Sequence, residues 1–162
     1  ILELLFATGV RVSELVNIKI VDISFKEREI KVLGKGSKER IVFFGSFCES
    51  ILDKYLKEDR NSLLKEKKSN YLLINHLGNK LTDRGVRVII DNIIKQSGIT
   101  SKVSPHTFRH TFATIMLNEG CDIKSVQELL GHVNLNTTSI YTHLTNEEIR
   151  RTYLKAHPRA KK

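Results

Sequence analysis

Residues 104–141 read SPHTFRHTFATIMLNEGCDIKSVQELLGHVNLNTTSIY, and this stretch carries side chains suited to holding a phosphate. His106 and Arg109 are three residues apart. His132 follows a glycine and stands nine residues before Tyr141. Two imidazoles, a guanidinium and a phenol can together bind an anion and move protons around it. The stretch therefore predicts a phosphate-handling site.

The same stretch contains a strong helix-start signal. Ser104 is a favoured N-cap residue, and Pro105 suits the first helical position. His106 and Arg109 then lie on one face of the first turns, where unpaired N–H groups and the positive end of the helix dipole favour an anion. His110 has a zinc-binding spacing from His106, but a threonine occupies the place of the glutamate in H-E-x-x-H. We therefore interpret His110 as structural.

Two basic residues far upstream are candidates for the same site. Arg11 lies in TGVRVSEL, after a predicted helix over residues 1–7, and Lys35 lies in GKGSK at the tip of a predicted β-hairpin. Strand-like alternation over residues 29–33 and 39–44 flanks that tip. GKGSK does not match a phosphate-binding P-loop, which needs a helix after it. Taken alone, either cation would more simply be an exposed surface residue.

Periodicity and capping residues predict the remaining elements. Apolar spacing predicts a helix over residues 46–60, a polar loop over 61–70 and a third strand over 71–74. Caps predict helices from Thr82 to Gly98, from Asp122 to Gly131 and from Thr145 to about Lys155. A short helix carrying Tyr141 is expected to begin at Asn136 or Thr137. The expected fold class is α+β, predominantly α-helical, with a small antiparallel sheet at one edge.

The charge balance favours a nucleic-acid partner. The 162 residues include 27 Lys+Arg and 18 Asp+Glu, a formal net charge of +9, and the basic residues are scattered along the chain. A basic folded surface attracts a polyanion. Further candidate DNA contacts are Lys38, Arg40, Arg84 and Arg87.

Length, cysteine content and hydropathy limit the other classes. A chain of 162 residues suits one domain. Cys48 and Cys121 form neither a disulfide framework nor a C-x-x-C motif. No apolar run approaches the ~20 residues of a membrane span and no signal peptide is recognisable, so a cytoplasmic protein without a membrane partner is expected. Ile1 already carries helical periodicity without a preceding cap, which is typical of a piece of a longer protein.

Five separated motifs resemble one known family. TGVRVSEL, GKGSKER, SPHTFRHTFAT, LLGH and IYTH occur in this order, and HPRA follows at residues 157–160. Together they resemble the tyrosine recombinase (phage integrase) family, most closely its bacterial Xer-type site-specific recombinases. The resemblance runs over essentially the whole chain.

The resemblance implies an enzyme that cleaves and rejoins double-stranded DNA. The implied catalytic residues are Arg11, Lys35, His106, Arg109, His132 and Tyr141. Tyr141 would attack a phosphodiester to form a 3′-phosphotyrosyl link. His106 would take the phenol proton, and Lys35 would protonate the departing 5′-oxygen.

By the same resemblance, Arg11 and Arg109 would hold the non-bridging oxygens, and His132 would hydrogen-bond the scissile phosphate. A phenol with a pKa of ~10 needs a base and a positive field to attack at neutral pH. Planar guanidinium forks suit the charge of a pentacoordinate transition state. Because the arginines do this electrostatic work, neither a metal ion, ATP nor any other cofactor is expected.

The resemblance also implies a domain organisation and partners. Residues 1–162 would form a C-terminal catalytic domain, and an N-terminal DNA-clamping domain, absent from this chain, would precede it. The expected partners are double-stranded DNA and a homo-tetramer or a related recombinase protomer, with no small-molecule substrate. The helix and tail over residues 145–162 would dock on a neighbouring protomer through Ile149, Tyr153 and Leu154, although the same residues could pack at home.

Two alternatives remain open from the sequence. Residues 123–130, Gly131 and a second helix near residues 137–144 also match a helix-turn-helix, which would make the chain a non-catalytic DNA-binding module. A type IB topoisomerase shares the tyrosine chemistry and relaxes supercoils without exchanging strands. The Xer-like motifs and the HPRA ending favour the recombinase.

Overall fold

The computed structural model describes residues 1–131 and 144–160, with Lys35 described by its backbone alone. Within them, the helices are α1 (Leu2–Thr8), α2 (Val12–Leu15), α3 (Ser46–Lys54), α4 (Arg60–Leu64), α5 (Asp83–Gln96), α6 (Pro105–Asn118), α7 (Ile123–Leu130) and α8 (Asn146–Ala156). The strands are β1 (Ile23–Ser24), β2 (Glu29–Leu33) and β3 (Glu39–Phe43). The predicted fold class, α+β and predominantly helical with a small antiparallel sheet, is confirmed.

The sheet contains the predicted hairpin and a different third strand. β2 and β3 pair antiparallel with Ile30 opposite Val42, and both side chains are buried. A 3₁₀ turn, Lys35–Ser37, connects the two strands. The third strand is β1, which pairs with β2 in the order β1-β2-β3.

The prediction of a third strand over residues 71–74 is wrong. Tyr71 and Ile74 form isolated bridges, to Lys19 and Lys80 respectively. Leu72 is completely buried in the core, so the run is apolar because it packs and not because it lies in a sheet. A short apolar run does not by itself distinguish these two environments.

The helix predicted over residues 46–60 extends further along the chain. A π-helical turn, Tyr55–Asp59, joins α3 to α4, which ends at Leu64. Arg60 is 6% exposed, and its guanidinium donates hydrogen bonds to the carbonyl oxygens of Ser69, Tyr71 and Leu72. These tertiary contacts stabilise the helix over residues 60–64, although the composition of residues 61–70 predicts a loop.

The capping residues predict the other helix starts correctly. The side-chain oxygens of Thr82, Asp122 and Thr145 each accept a hydrogen bond from a backbone N–H three residues ahead, at 3.1, 3.0 and 3.2 Å. Each satisfies an N–H group that the helix itself leaves unpaired.

The last helix, α8, packs on the core of the same chain. Tyr153 and His157 are fully buried, with ring centroids 5.1 Å apart, and Phe112 of α6 lies beside both. The His157 Nε2 atom lies 3.2 Å from the carbonyl oxygen of Phe6. Burial lowers the pKa of His157 to about 4, because an apolar environment disfavours the charged imidazole.

The tail after α8 also lies close to the body of the domain. A Cβ atom on Gly45 would overlap the carbonyl oxygen of Arg159, so glycine allows the tail to approach here. Ile149 and Tyr153 are buried against their own chain, whereas Leu154 is 42% exposed. Exchange of this tail between protomers stays a prediction.

Among the described helices, none combines the length and apolar character needed to cross a bilayer.

Candidate active site

Arg109 occupies a buried position between the ends of two helices. Its Nη1 donates to the carbonyl oxygen of Gly9 and its Nη2 to that of Leu130, both at 2.6 Å. Gly9 is the C-cap of α1 and Leu130 is the last residue of α7, so the cation lies at two negative helix ends. Burial, followed by the charge of Arg11, lowers the pKa of Arg109 to about 10, and the group stays protonated at neutral pH.

Arg11 lies beside Arg109 and is partly open to solvent. It is the N-cap of α2, and its side chain is 33% exposed. Its Nη2 donates to the carbonyl oxygen of Gly131 at 3.2 Å, and its Nη1 lies 3.5 Å from that of Leu130. Arg11 and Arg109 therefore share Leu130 as an acceptor, and the fold brings together two predicted site residues that are far apart in the sequence.

A buried carboxylate holds Arg11 in place. Glu14 is 3% exposed, and its oxygens accept the backbone N–H of Arg11 at 2.8 Å and the Nη1 of Arg11 at 2.9 Å. Burial alone would raise the pKa of Glu14, but the hydrogen bonds and charge of Arg40, with the hydrogen bonds of Arg11, outweigh it and lower the pKa. The carboxylate is thus charged at neutral pH.

Arg40, on the hairpin, hydrogen-bonds the same carboxylate. Its Nη1 and Nη2 donate to the two oxygens of Glu14 at 2.8 and 2.9 Å, and its Nε donates to the carbonyl oxygen of Leu129 at 2.9 Å. The side chain is 13% exposed. The observed contacts of the guanidinium are internal, and the DNA contact predicted for Arg40 stays a prediction.

His106 and Lys35 come from the two elements that border this cluster. His106 is exposed in the first turn of α6, three residues before the buried Arg109. Lys35 begins the turn after Gly34, and a Cβ atom on Gly34 would lie 3.5 Å from Glu14 Oε1. The hairpin tip therefore starts next to the arginine cluster. His110 is exposed, as are the candidate DNA contacts Lys38, Arg84 and Arg87.

His132 and Tyr141 lie outside the described residues, as do the short helix predicted to carry Tyr141 and most of the second helix of the helix-turn-helix alternative. The described chain reaches Gly131, the C-cap of α7, in a left-handed conformation with φ 64°. The carbonyl that Arg11 contacts there belongs to the residue directly before His132.

Glu14 and the internal contacts of Arg40 were not predicted from the sequence. A signal for Glu14 was present, because a glutamate three residues after an N-cap can accept the N-cap N–H, as Glu14 does here. Arginine is not a typical N-cap, which hid that pattern. No sequence signal indicated that Arg40 would reach Glu14, because the pair is 26 residues apart.

The comparisons define the class of protein. The family model described as the phage integrase family matches residues 1–148, and the chain belongs to that family. Among curated relatives, the tyrosine recombinase XerC of Staphylococcus saprophyticus subsp. saprophyticus is 52% identical over 162 residues, covering 100% of this chain and 54% of that protein. The XerC of Staphylococcus haemolyticus is 51% identical with the same coverage. The chain thus spans about half the length of the curated relatives it matches.

Solved structures show the same fold. A crystal structure of XerA recombinase has 38% identity and a TM-score of 0.75, covering 94% of this chain and 55% of that one. A pre-cleavage complex of XerH site-specific recombinase bound to difH substrate has 32% identity and a TM-score of 0.71, covering 94% and 44%. The predicted family membership is confirmed.

Proposed function

We propose that this chain is the catalytic domain of a site-specific DNA recombinase, which cleaves and rejoins strands through a 3′-phosphotyrosyl link to Tyr141 without a metal ion or ATP. The observation that carries the proposal is the convergence of Arg11 and Arg109 on one carbonyl oxygen at the end of α7. Membership of the phage integrase family and the names of the relatives support a recombinase over a non-catalytic helix-turn-helix module.

The charge of the cluster favours a bound phosphate. The guanidiniums of Arg11 and Arg40 hydrogen-bond the carboxylate of Glu14, and the charge of Arg109 interacts with the same three groups. Three cations and one carboxylate leave two formal positive charges. The lowered pKa of Arg109 reflects burial together with repulsion from its cationic neighbours. A phosphodiester would offset this repulsion, and a transition state with additional negative charge would offset it further.

Each proposed step balances its atoms and protons. The Tyr141 oxygen attacks the phosphorus, its proton passes to His106, and the bond to the 5′-oxygen breaks as Lys35 supplies a proton. Arg11, Arg109 and His132 hold the phosphate oxygens. In the reverse step, a 5′-hydroxyl attacks the phosphotyrosyl link and gives its proton to Lys35, and the phenol is released with the proton held by His106. Phosphoester bonds are exchanged one for one, so no energy source is needed.

Double-stranded DNA is the proposed substrate, which the net charge of +9 supports. The XerH structure was obtained with a difH substrate. We further propose assembly as a tetramer on DNA in which the segment over residues 145–162 is exchanged between protomers. The contacts that Tyr153 and His157 make with Phe112 in this chain would then form between two copies, since an exchanged element packs on the same surfaces.

A covalent-trapping assay tests the proposed function. Bound sites are first selected from a pool of duplexes with randomised cores. Each is then nicked just to the 3′ side of the cleavage position, so that the short fragment carrying the free 5′-hydroxyl diffuses away. Wild type should form a protein–DNA adduct that survives denaturing electrophoresis and EDTA, and Tyr141→Phe should form none. Tyr71→Phe, a partly exposed tyrosine near the bridge to Lys19, is the matched control and should retain the adduct.

Two results would contradict the proposal. A wild type that binds a nicked site without forming an adduct would leave the chain as a DNA-binding module. Relaxation of supercoiled DNA without any joined recombinant product would favour a topoisomerase.

A further inference from the structure

Arg40 connects three segments of the fold at the candidate site. It lies on β3 of the hairpin, its Nη atoms hold both oxygens of Glu14 on α2, and its Nε holds the carbonyl oxygen of Leu129 on α7. A planar guanidinium can make these three contacts at once because its donors form a rigid fork.

The two hydrogen bonds from Arg40 orient Glu14, and Glu14 in turn orients Arg11. Each Glu14 oxygen is shared: Oε1 accepts from Arg40 and from the Arg11 Nη1, and Oε2 accepts from Arg40 and from the Arg11 backbone N–H. The two contacts from Arg40 define the plane of the carboxylate. That plane determines the direction in which Arg11 is held.

The guanidinium also contacts the residues that precede two other members of the proposed catalytic set. A Cβ atom on Gly131, directly before His132, would lie 2.9 Å from the Arg40 Nη1 and 3.0 Å from its Cζ. A Cβ atom on Gly34, directly before Lys35, would lie 3.6 Å from the same Nη1. Glycine at position 131 thus allows the backbone to pack tightly on this guanidinium, and Gly34 lies at ordinary van der Waals distance from it, so one side chain lies between the hairpin tip and the end of α7.

We propose that Arg40 is a positioning residue for strand cleavage, which sets Arg11 through Glu14 and holds the hairpin tip against the end of α7. The inference rests on the proposed recombinase function. Lysine should not replace Arg40, because one ammonium cannot contact Leu129 and both Glu14 oxygens in this geometry. With 13% of its side chain exposed, Arg40 acts inside the domain and not as a phosphate contact on the DNA.

The test uses Arg40→Lys, which keeps the charge, and Arg40→Gln, which removes it. The matched control is Arg28→Lys, because Arg28 directly precedes the same hairpin, is 44% exposed and forms its ion pair with Glu49 of α3, at 2.7 Å, and not with Glu14. Adduct formation is followed in single turnover on a nicked duplex at saturating DNA. We expect Arg40→Lys to lower the rate constant about 10- to 100-fold, as misplacement of about 1 Å can, and Arg28→Lys to leave it unchanged.

The amplitude of adduct formation and the affinity for DNA distinguish a positioning role of Arg40 from two simpler roles, a purely structural one and a contact to a DNA phosphate. A purely structural defect reduces the folded fraction and so the amplitude of the adduct, whereas a positioning defect lowers the rate constant of the molecules that are folded. If either Arg40 variant folds poorly, the rate constant of its folded fraction still decides. A DNA-phosphate contact would instead weaken binding and, in Arg40→Gln, reduce the slope of log Kd against log salt by about 1.

The outcomes distinguish this inference from the proposed function. If wild type forms the adduct and the Arg40 variants form it at the wild-type rate constant, with only amplitude or DNA affinity reduced, Arg40 is not a positioning residue and the recombinase proposal stands. If wild type forms no adduct, both proposals fail together.

Discussion

Replacing Glu14 by glutamine should be the most destabilising single neutralisation of a carboxylate in the described part of the domain. Glu14 accepts four hydrogen bonds from two arginines at 2.8–2.9 Å and is 3% exposed. Breaking a buried ion pair from one side costs about 3–5 kcal/mol, because the opposite charge is left unpaired. Glutamine keeps one acceptor oxygen, so we expect about 3 kcal/mol, or a melting temperature about 6–12 °C lower.

The control for this prediction is Glu39→Gln on the same hairpin. Glu39 is 58% exposed and pairs with Lys31 at 3.5 Å, so its loss should cost less than about 1 kcal/mol. Thermal and urea unfolding of wild type and both variants give the comparison. Equal midpoints for the two variants would refute the reasoning, because the buried carboxylate would then contribute no more than an exposed one.

The pH dependence gives a second check on Glu14. The folded-state pKa of Glu14 lies below its ordinary value of 4.5, so its charge stabilises the fold above that pH. The stabilisation is lost as the pH falls through the folded-state pKa. The difference in unfolding free energy between wild type and Glu14→Gln should therefore be full at pH 7 and shrink in acid.

The folded-state pKa of His157, about 4, lies below its ordinary 6.5, so the unfolded chain takes up the proton first. Wild type should lose about 2 kcal/mol of unfolding free energy between pH 7.5 and pH 5, and His157→Gln should show a flatter profile in urea titrations. Gly45→Ala would place a Cβ atom against the Arg159 carbonyl, and this overpacking should destabilise the docked tail by about 1–3 kcal/mol. Because the tail then opens more often, trypsin should cleave after Lys155 about ten times faster. Arg109→Lys should slow adduct formation by about 10²–10³-fold at equal protein folding, because one ammonium cannot reproduce the two contacts of the fork.

Local signals predicted the elements whose ends depend on nearby residues. The starts at Thr82, Asp122 and Thr145 and the end at Gly131 follow from capping chemistry within three residues or from one backbone angle. The hairpin follows from alternation on both sides of a turn rich in glycine.

Elements that depend on distant partners were predicted less well. The run over residues 71–74 has the composition of a strand, yet the core buries it without a paired strand. Helix α4 continues past the predicted end at residue 60, because the Arg60 guanidinium binds the carbonyls of residues 69–72. Neither partner can be identified from the residues next to the segment.

The sequence by itself determined the family, the helical α+β class and the identity of the candidate catalytic side chains, since residue types and their spacing are local properties. Only the tertiary structure decided how the cationic side chains are held. Arg11 and Arg109 meet at the end of α7, and Arg40 turns inward to Glu14, 26 residues away. Spacing along the chain does not specify which acceptor a long side chain reaches. Burial does, because a charged group removed from water must find its partners within the fold.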